Sequence, residues 1–179
     1  MWRKSWLRDG AGRVGLGCMR LSTADDRDES RARATVHAAL DAGVAVFDTA
    51  LAYGRDQSEQ HHNERWLGRF LSEHPRGEDA RVVTKGGLVR EGVAWVPDGR
   101  AKALRAQCEA SLAALGRPID LYLLHTPDPR VPWATSVRAL ESLRRDGFVR
   151  AIGVSNVTRA QLDEAASLAE LVAVQVALS

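Results

Sequence analysis

The chain has 179 residues, 45% of them apolar and 27% charged, with a formal net charge of +2. That composition is ordinary for a folded protein with a core and excludes disordered and fibrous classes; a domain of ~150 residues buries roughly two thirds of its unfolded surface. The charge is small, and Arg31, Arg33, Arg105 and Arg138 are scattered among acids, which reads as solvated helix faces and excludes a nucleic-acid footprint.

The first apolar run, Val14 to Cys18, reads as a strand. A helical pattern follows from Asp28 to Ala42, setting Ala34, Ala38, Val36 and Leu40 toward a core, with Gly43 as its stop. Val44 to Phe47 is the next strand. Asn63 to His74 is the next helix, carrying Trp66, Leu67, Phe70 and Leu71 and ending before Pro75. After a third strand, Arg81 to Thr84, the segment Asp98 to Leu115 places Ala101, Leu104, Cys108, Leu112 and Leu115 at helical steps. Asp98 is its expected N-cap and Gly116 its end. Ile119 to Leu124 and Val149 to Val154 are strands on either side of a helix from Ala134 to Asp146, which carries Val137, Leu140 and Leu143. A last helix, Thr158 to Leu168, opens on the capping-box pair Thr158 and Gln161. The run Leu171 to Leu178 is the sixth strand.

Nearly continuous apolar strands are those covered on both faces, and their alternation with helices predicts an α/β fold with right-handed parallel crossovers. A doubly wound sheet and a barrel share this rhythm. Gly15 and Gly17 are followed by Arg20 where a third glycine would complete a dinucleotide fingerprint, so the open sheet loses its main support.

No apolar run approaches the ~18 residues of a membrane helix. The first ten residues carry basic groups with no apolar stretch behind them and do not read as a secretory signal. Cys18 and Cys108 have neither CxxC nor metal-ligand spacing, which fits small buried side chains in a reducing cytoplasm. His61-His62 invites a metal reading, but adjacent histidines point apart and no carboxylate or cysteine completes a site, so no metal is expected.

The C-terminal ends of the predicted strands carry polar groups in succession: Asp48 with Tyr53 close behind, then Lys85, then His125, then Ser155 and Asn156. Each has a bland reading, as a loop cap, a solvated lysine, rim packing, a core histidine or a helix N-cap. In parallel folds strand C-termini converge on the ligand face, and loop capping does not explain why consecutive strands all end this way. The set as a whole favours chemistry.

At these residues the sequence resembles the aldo-keto reductase family. The matching motifs are Gly-Leu-Gly-Cys-Met-Arg (15–20), Phe-Asp-Thr-Ala-Leu-Ala-Tyr-Gly (47–54), Asn-Glu-Arg-Trp-Leu-Gly (63–68), Val-Thr-Lys-Gly-Gly (83–87), Asp-Leu-Tyr-Leu-Leu-His (120–125), Ile-Gly-Val-Ser-Asn (152–156) and Val-Gln-Val (174–176). The resemblance implies a (β/α)8 TIM barrel, incomplete, with about six of eight βα units in a single partial domain over 1–179. It implies a catalytic tetrad of Asp48, Tyr53, Lys85 and His125: Tyr53 as general acid, Lys85 lowering its pKa, Asp48 holding Lys85, and His125 on the substrate oxygen. Ser155, Asn156 and Gln175 resemble the family's carboxamide clamp, and the cofactor implied is NADP(H), with NAD(H) as the alternative. The partner is a small-molecule carbonyl substrate, with Trp95 and Trp133 as candidate pocket walls. Neither nucleic acid nor membrane is expected, and nothing in the sequence sets an oligomeric state.

A complete barrel takes ~250 residues, so the chain is expected to be a shortened piece. It would leave two open sheet edges, and most cofactor contacts would lie beyond Ser179, so weak dinucleotide binding by 1–179 is expected. Two other functions share the fold: a non-catalytic nicotinamide-binding regulatory subunit, and a Schiff-base aldolase using Lys85 as nucleophile.

Overall fold

Apolar runs interrupted by helical periodicity fold as the alternation predicts. In the computed structural model, which describes residues 14–177, the elements in chain order are β1 (Leu16–Gly17), α1 (Met19–Thr23), α2 (Glu29–Asp41), β2 (Val46–Asp48), α3 (His62–Ser72), β3 (Arg81–Gly86), β4 (Leu88–Glu91), β5 (Ala94–Pro97), α4 (Ala101–Leu115), β6 (Leu121–Leu124), α5 (Trp133–Arg145), β7 (Ile152–Ser155), α6 (Arg159–Leu168) and β8 (Leu171–Gln175). The reading of the first ten residues as no secretory signal, and Leu178 at the end of the last predicted strand, lie outside the described residues.

Six strands form one sheet in the order β1-β2-β3-β6-β7-β8, and every neighbouring pair is parallel. The Gln175 side chain on β8 donates to the Asp48 carboxylate on β2 at 3.2 Å, although three strands lie between them in the sheet. In a flat sheet four strand spacings would separate them by roughly 19 Å. The sheet is therefore curled into an open part of a barrel.

Side-chain alternation gives this sheet two apolar layers. Val82, Tyr122, Leu124 and Val154 face outward onto Leu40, Leu67, Phe70, Leu104 and Leu140 of the helices. Val83, Leu121, Leu123 and Ala151 point into the lumen. Gly68 lets α3 close on α4, since a Cβ there would collide with the Leu115 carbonyl. At the N-terminal end of the sheet, Asp120 accepts from Arg81 at 3.1 Å, from Arg150 at 2.7 Å and from the Val82 amide at 2.9 Å.

Several expectations need correction. The buried stripe of α2 is Ala32, Val36 and Leu40, spaced at i+4 on one face. Ala34 and Ala38 fall between those rows and are exposed. Asp98 does not cap α4: its carboxylate binds the Arg100 guanidinium at 2.7 and 2.8 Å, and the helix begins at Ala101, itself exposed. The segment after β3, to which the sequence pattern assigned no element, is the antiparallel hairpin β4–β5 turning at Gly92, φ +55°. Thr158 and Gln161 do form both halves of the capping box, and Gly116 ends α4 in the left-handed region at φ +62°.

Candidate active site

Strand ends bring the polar groups together because parallel strands in register all finish on one rim. Lys85 sits near the end of β3, paired across to Leu123, and is 1% exposed. Its Nζ donates to both Asp48 oxygens at 2.8 Å, to the Thr49 carbonyl at 2.9 Å and to the Tyr53 hydroxyl at 3.1 Å. An ammonium has three N–H donors, and these partners occupy all of them. A buried cation needs that saturation. The Lys85 ammonium also lies 4.9 Å from the Tyr53 ring centre, a cation–π approach.

His125 follows β6, its amide held by the Gly86 carbonyl at 2.8 Å. Its ring meets the Tyr53 ring edge-on, with centres 5.7 Å apart. Burial, with the Lys85 charge adding to it, pushes the imidazole down to about 3. The ring is therefore neutral at ordinary pH, with one N–H donor and one bare nitrogen, and among the described residues its buried Nδ1 has no hydrogen-bond partner. Asp48, Tyr53, Lys85 and His125 thus form one contiguous cluster.

The expected lowering of the Tyr53 pKa is not what the assembled site produces. Burial raises the phenol above the ordinary tyrosine value, the nearby Lys85 charge pulls it back, and Asp48 adds to the rise. Lys85 acts in the expected direction, but withdrawal of the phenol from water outweighs it.

Ser155 ends β7 opposite Gln175 on β8. Asn156 follows in the left-handed region, φ +55°, which its short polar side chain tolerates. Its side-chain amide donates to the His125 carbonyl at 2.9 Å, and its backbone amide donates to the Gln175 carbonyl at 3.1 Å. The Asn156 and Gln175 amides therefore brace the rim, and among the described residues each keeps a second N–H and a carbonyl oxygen free of hydrogen bonds. Among the described residues no hydrogen bond engages the Ser155 hydroxyl.

Trp95, on β5, lies against this cluster: its ring approaches Tyr53 at 6.3 Å and His125 at 6.5 Å, both edge-on. Arg90 stacks behind it, 3.4 Å from the ring centre, while donating to the Ala52 and Val93 carbonyls. Trp133 is elsewhere. It is the first residue of α5, and its indole N–H donates to the Gln161 carbonyl at 3.0 Å, sealing α5 against α6. His61 and His62 also part: His61 binds Glu64 at 2.6 Å, and His62 stacks on Trp66. Among the described residues no group of three or more His, Cys, Asp or Glu is placed to hold a metal ion, and no helix is long and apolar enough to cross a membrane.

Sequence reasoning assigned no role to the buried Ser22, Thr49, Asn63, Glu64 and Thr84 around the site. Asn63-Glu64 gave one signal: two polar residues opening a helix whose next turns are apolar.

The aldo/keto reductase family profile matches residues 13–179. The chain belongs to that family. An aldo-keto reductase of Bacillus subtilis, YhdN, is 33% identical over 168 residues, covering 92% of this chain and 49% of the relative. The glycerol dehydrogenase of Gluconobacter oxydans superimposes with a TM-score of 0.82 at 36% identity, over 94% of this chain and 52% of that one. An aldo/keto reductase of Klebsiella pneumoniae, solved with NADP and acetate, gives 0.68 at 26% identity, over 87% of this chain and 49% of that one. The chain thus spans about half the length of the aldo/keto reductases it matches. Their barrel is the architecture to which the curled sheet corresponds.

Proposed function

We propose that this protein reduces aldehydes or ketones to alcohols with a reduced nicotinamide cofactor, and that Tyr53 is the general acid. The observation that carries this reading is the buried Lys85 ammonium, shared between the Asp48 carboxylate and the Tyr53 hydroxyl. The cofactor, when bound, supplies the hydride that the carbonyl carbon accepts. Tyr53 Oη gives its proton to the oxygen, and the phenolate left behind is stabilised by the Lys85 N–H aimed at it. Asp48 and the Thr49 carbonyl hold that N–H in line. The neutral His125 ring offers an N–H to the same oxygen, where charge develops in a water-poor site.

The donor set fits a carboxamide. Ser155, Asn156 and Gln175 stand on adjacent strand ends, and the free N–H and carbonyl groups of the two amides complement a primary amide's own acceptor and donors. We take NADP(H) as the preferred cofactor and NAD(H) as the alternative. The NADP complex of the Klebsiella relative supports the choice. Trp95 walls the substrate side. We read residues 1–179 as one partial barrel domain and, from the two buried unpaired cysteines, as a protein of a reducing compartment.

A Schiff-base role for Lys85 needs a free amine lone pair, and an ammonium committed to these acceptors offers none. The test is reduction of a panel of aldehydes and ketones at high NADPH, with the alcohol product followed by chromatography. Turnover by the protein, lost by roughly 10²- to 10⁴-fold in Tyr53→Phe, is the expected result. Equal turnover by the variant overturns the assignment.

A further inference from the structure

Asn63, in the first turn of α3, is 2% exposed, and every polar atom of its side chain is engaged. Thr49 Oγ1 donates to its Oδ1 at 2.6 Å. Its Nδ2 donates to the Cys18 carbonyl at 2.8 Å and to Ser22 Oγ at 2.6 Å. Ser22, fully buried, spends its own proton on the Tyr53 carbonyl at 2.7 Å. The direction of this chain is forced. A carbonyl can only accept, and a serine hydroxyl that donates to Tyr53 has only lone pairs left for Asn63, so the amide fits in one orientation.

Thr49 closes the circuit, because its side chain holds Asn63 while its carbonyl accepts from Lys85. We propose that Asn63 is a positioning residue: through Ser22 it fixes the main chain of Tyr53, and through Thr49 it fixes the carbonyl that aims Lys85, so that phenol and ammonium stay in register. The inference rests on the carbonyl-reductase reading for its consequence in turnover, but its geometric content can be measured without cofactor. A loop that carries a proton donor and has no such tie can drift by an ångström, and a displacement of that size costs on the order of 10²-fold in rate.

The test uses Ser22→Ala and Thr49→Val, which each remove one donor from the chain, and Thr49→Ser, which restores it. The first readout is the ultraviolet pH titration of tyrosinate in the protein without cofactor. The chain has two tyrosines, and Tyr122 is completely buried with its pKa pushed well above the ordinary value, so the first native transition belongs to Tyr53. The second readout is kcat and KM for carbonyl reduction.

In Ser22→Ala and Thr49→Val we expect the Tyr53 transition to move from its raised position toward the ordinary value, as the phenol gains water. We expect kcat to fall by about tenfold or more with KM changed by no more than about twofold. Thr49→Ser should match the parent in both. An unmoved tyrosinate transition in both variants overturns the proposal, as does a lowered melting temperature with titration and kcat intact, or a change confined to KM. If Ser22→Ala fails to fold, the Thr49 pair decides. A shifted transition with no turnover in any form, the parent included, sinks the reductase reading and leaves the positioning role standing.

Discussion

The two ends of the curled sheet each hold an aspartate against a cation, Asp120 buried and Asp48 half-buried, and their surroundings differ. At the N-terminal end Asp120 is saturated by Arg81, Arg150 and the Val82 amide, and Arg117 ties down the Gly77 and Ala80 carbonyls nearby. Both carboxylate oxygens of Asp120 are engaged there, although the Arg117 Nε nearby is buried without a partner among the described residues. At the C-terminal end the Lys85 ammonium is equally saturated, but beside it, among the described residues, no hydrogen bond engages the Tyr53 proton, the His125 Nδ1 or the remaining amide groups of Asn156 and Gln175. A saturated ion cluster contributes stability; a cluster with spare donors and acceptors at a strand C-terminus is equipped to receive a ligand. The same residue type at two ends of one sheet is thus proposed to serve two purposes, with the groups left open around Lys85 marking the end where a ligand would bind.

Substitutions at the two ends should separate accordingly. The largest effect is expected from Lys85→Met, which removes the donor to Tyr53 and should lower kcat for carbonyl reduction by roughly 10²- to 10⁴-fold. A loss of only a fewfold would erase the distinction. Asp120→Ala should leave turnover unchanged but strand the buried Val82 N–H, lowering the unfolding free energy by roughly 1–3 kcal/mol in a urea titration. Reduced turnover at unchanged stability would place function at the wrong end.

The acid limb of the stability profile sharpens the contrast. His125 titrates at about 3 in the folded chain, against ~6.5 for an unperturbed imidazole, so as pH falls the unfolded chain takes up that proton first. The contribution is complete above about pH 6.5 and is lost as pH drops from there toward 3, by at most ~1.4 kcal/mol per pH unit. Urea titrations across this range should show a shallower decline in His125→Gln. An identical decline would mean that the ring is not held neutral by burial. The smallest effect is Thr158→Ala, which removes the capping box of α6 and should cost ~1 kcal/mol with no change in the site.

Much of the fold was legible because its signals are local. Gly116 and the Thr158–Gln161 pair act within one helical turn, and the β-branched runs need only a cover on both faces to become strands. The hairpin β4–β5 was not legible: Arg90 sits mid-strand and buried, stabilised by the Trp95 ring and by carbonyls that only the folded hairpin supplies. Asp98 failed as a cap because a guanidinium two residues away competed for the same carboxylate.

Position along the chain was enough to single out Asp48, Lys85 and His125 as candidates that the fold brings to one rim, since each closes or follows a strand. The balance at Tyr53 was not readable, because a short list of neighbouring charges says nothing about depth of burial. Nor was the role of Asn63, whose partners Cys18, Ser22 and Thr49 come from other elements far away in sequence.

The account turns on Tyr53 and Lys85 acting as one proton-delivering unit, and a double-mutant cycle on carbonyl reduction measures that directly. Tyr53→Phe, Lys85→Met and the double variant would be compared by kcat. Residues that act through one another should give a double variant within about twofold of the worse single variant. Losses that multiply would contradict the account, since two independent contributors would then stand where a coupled pair is claimed.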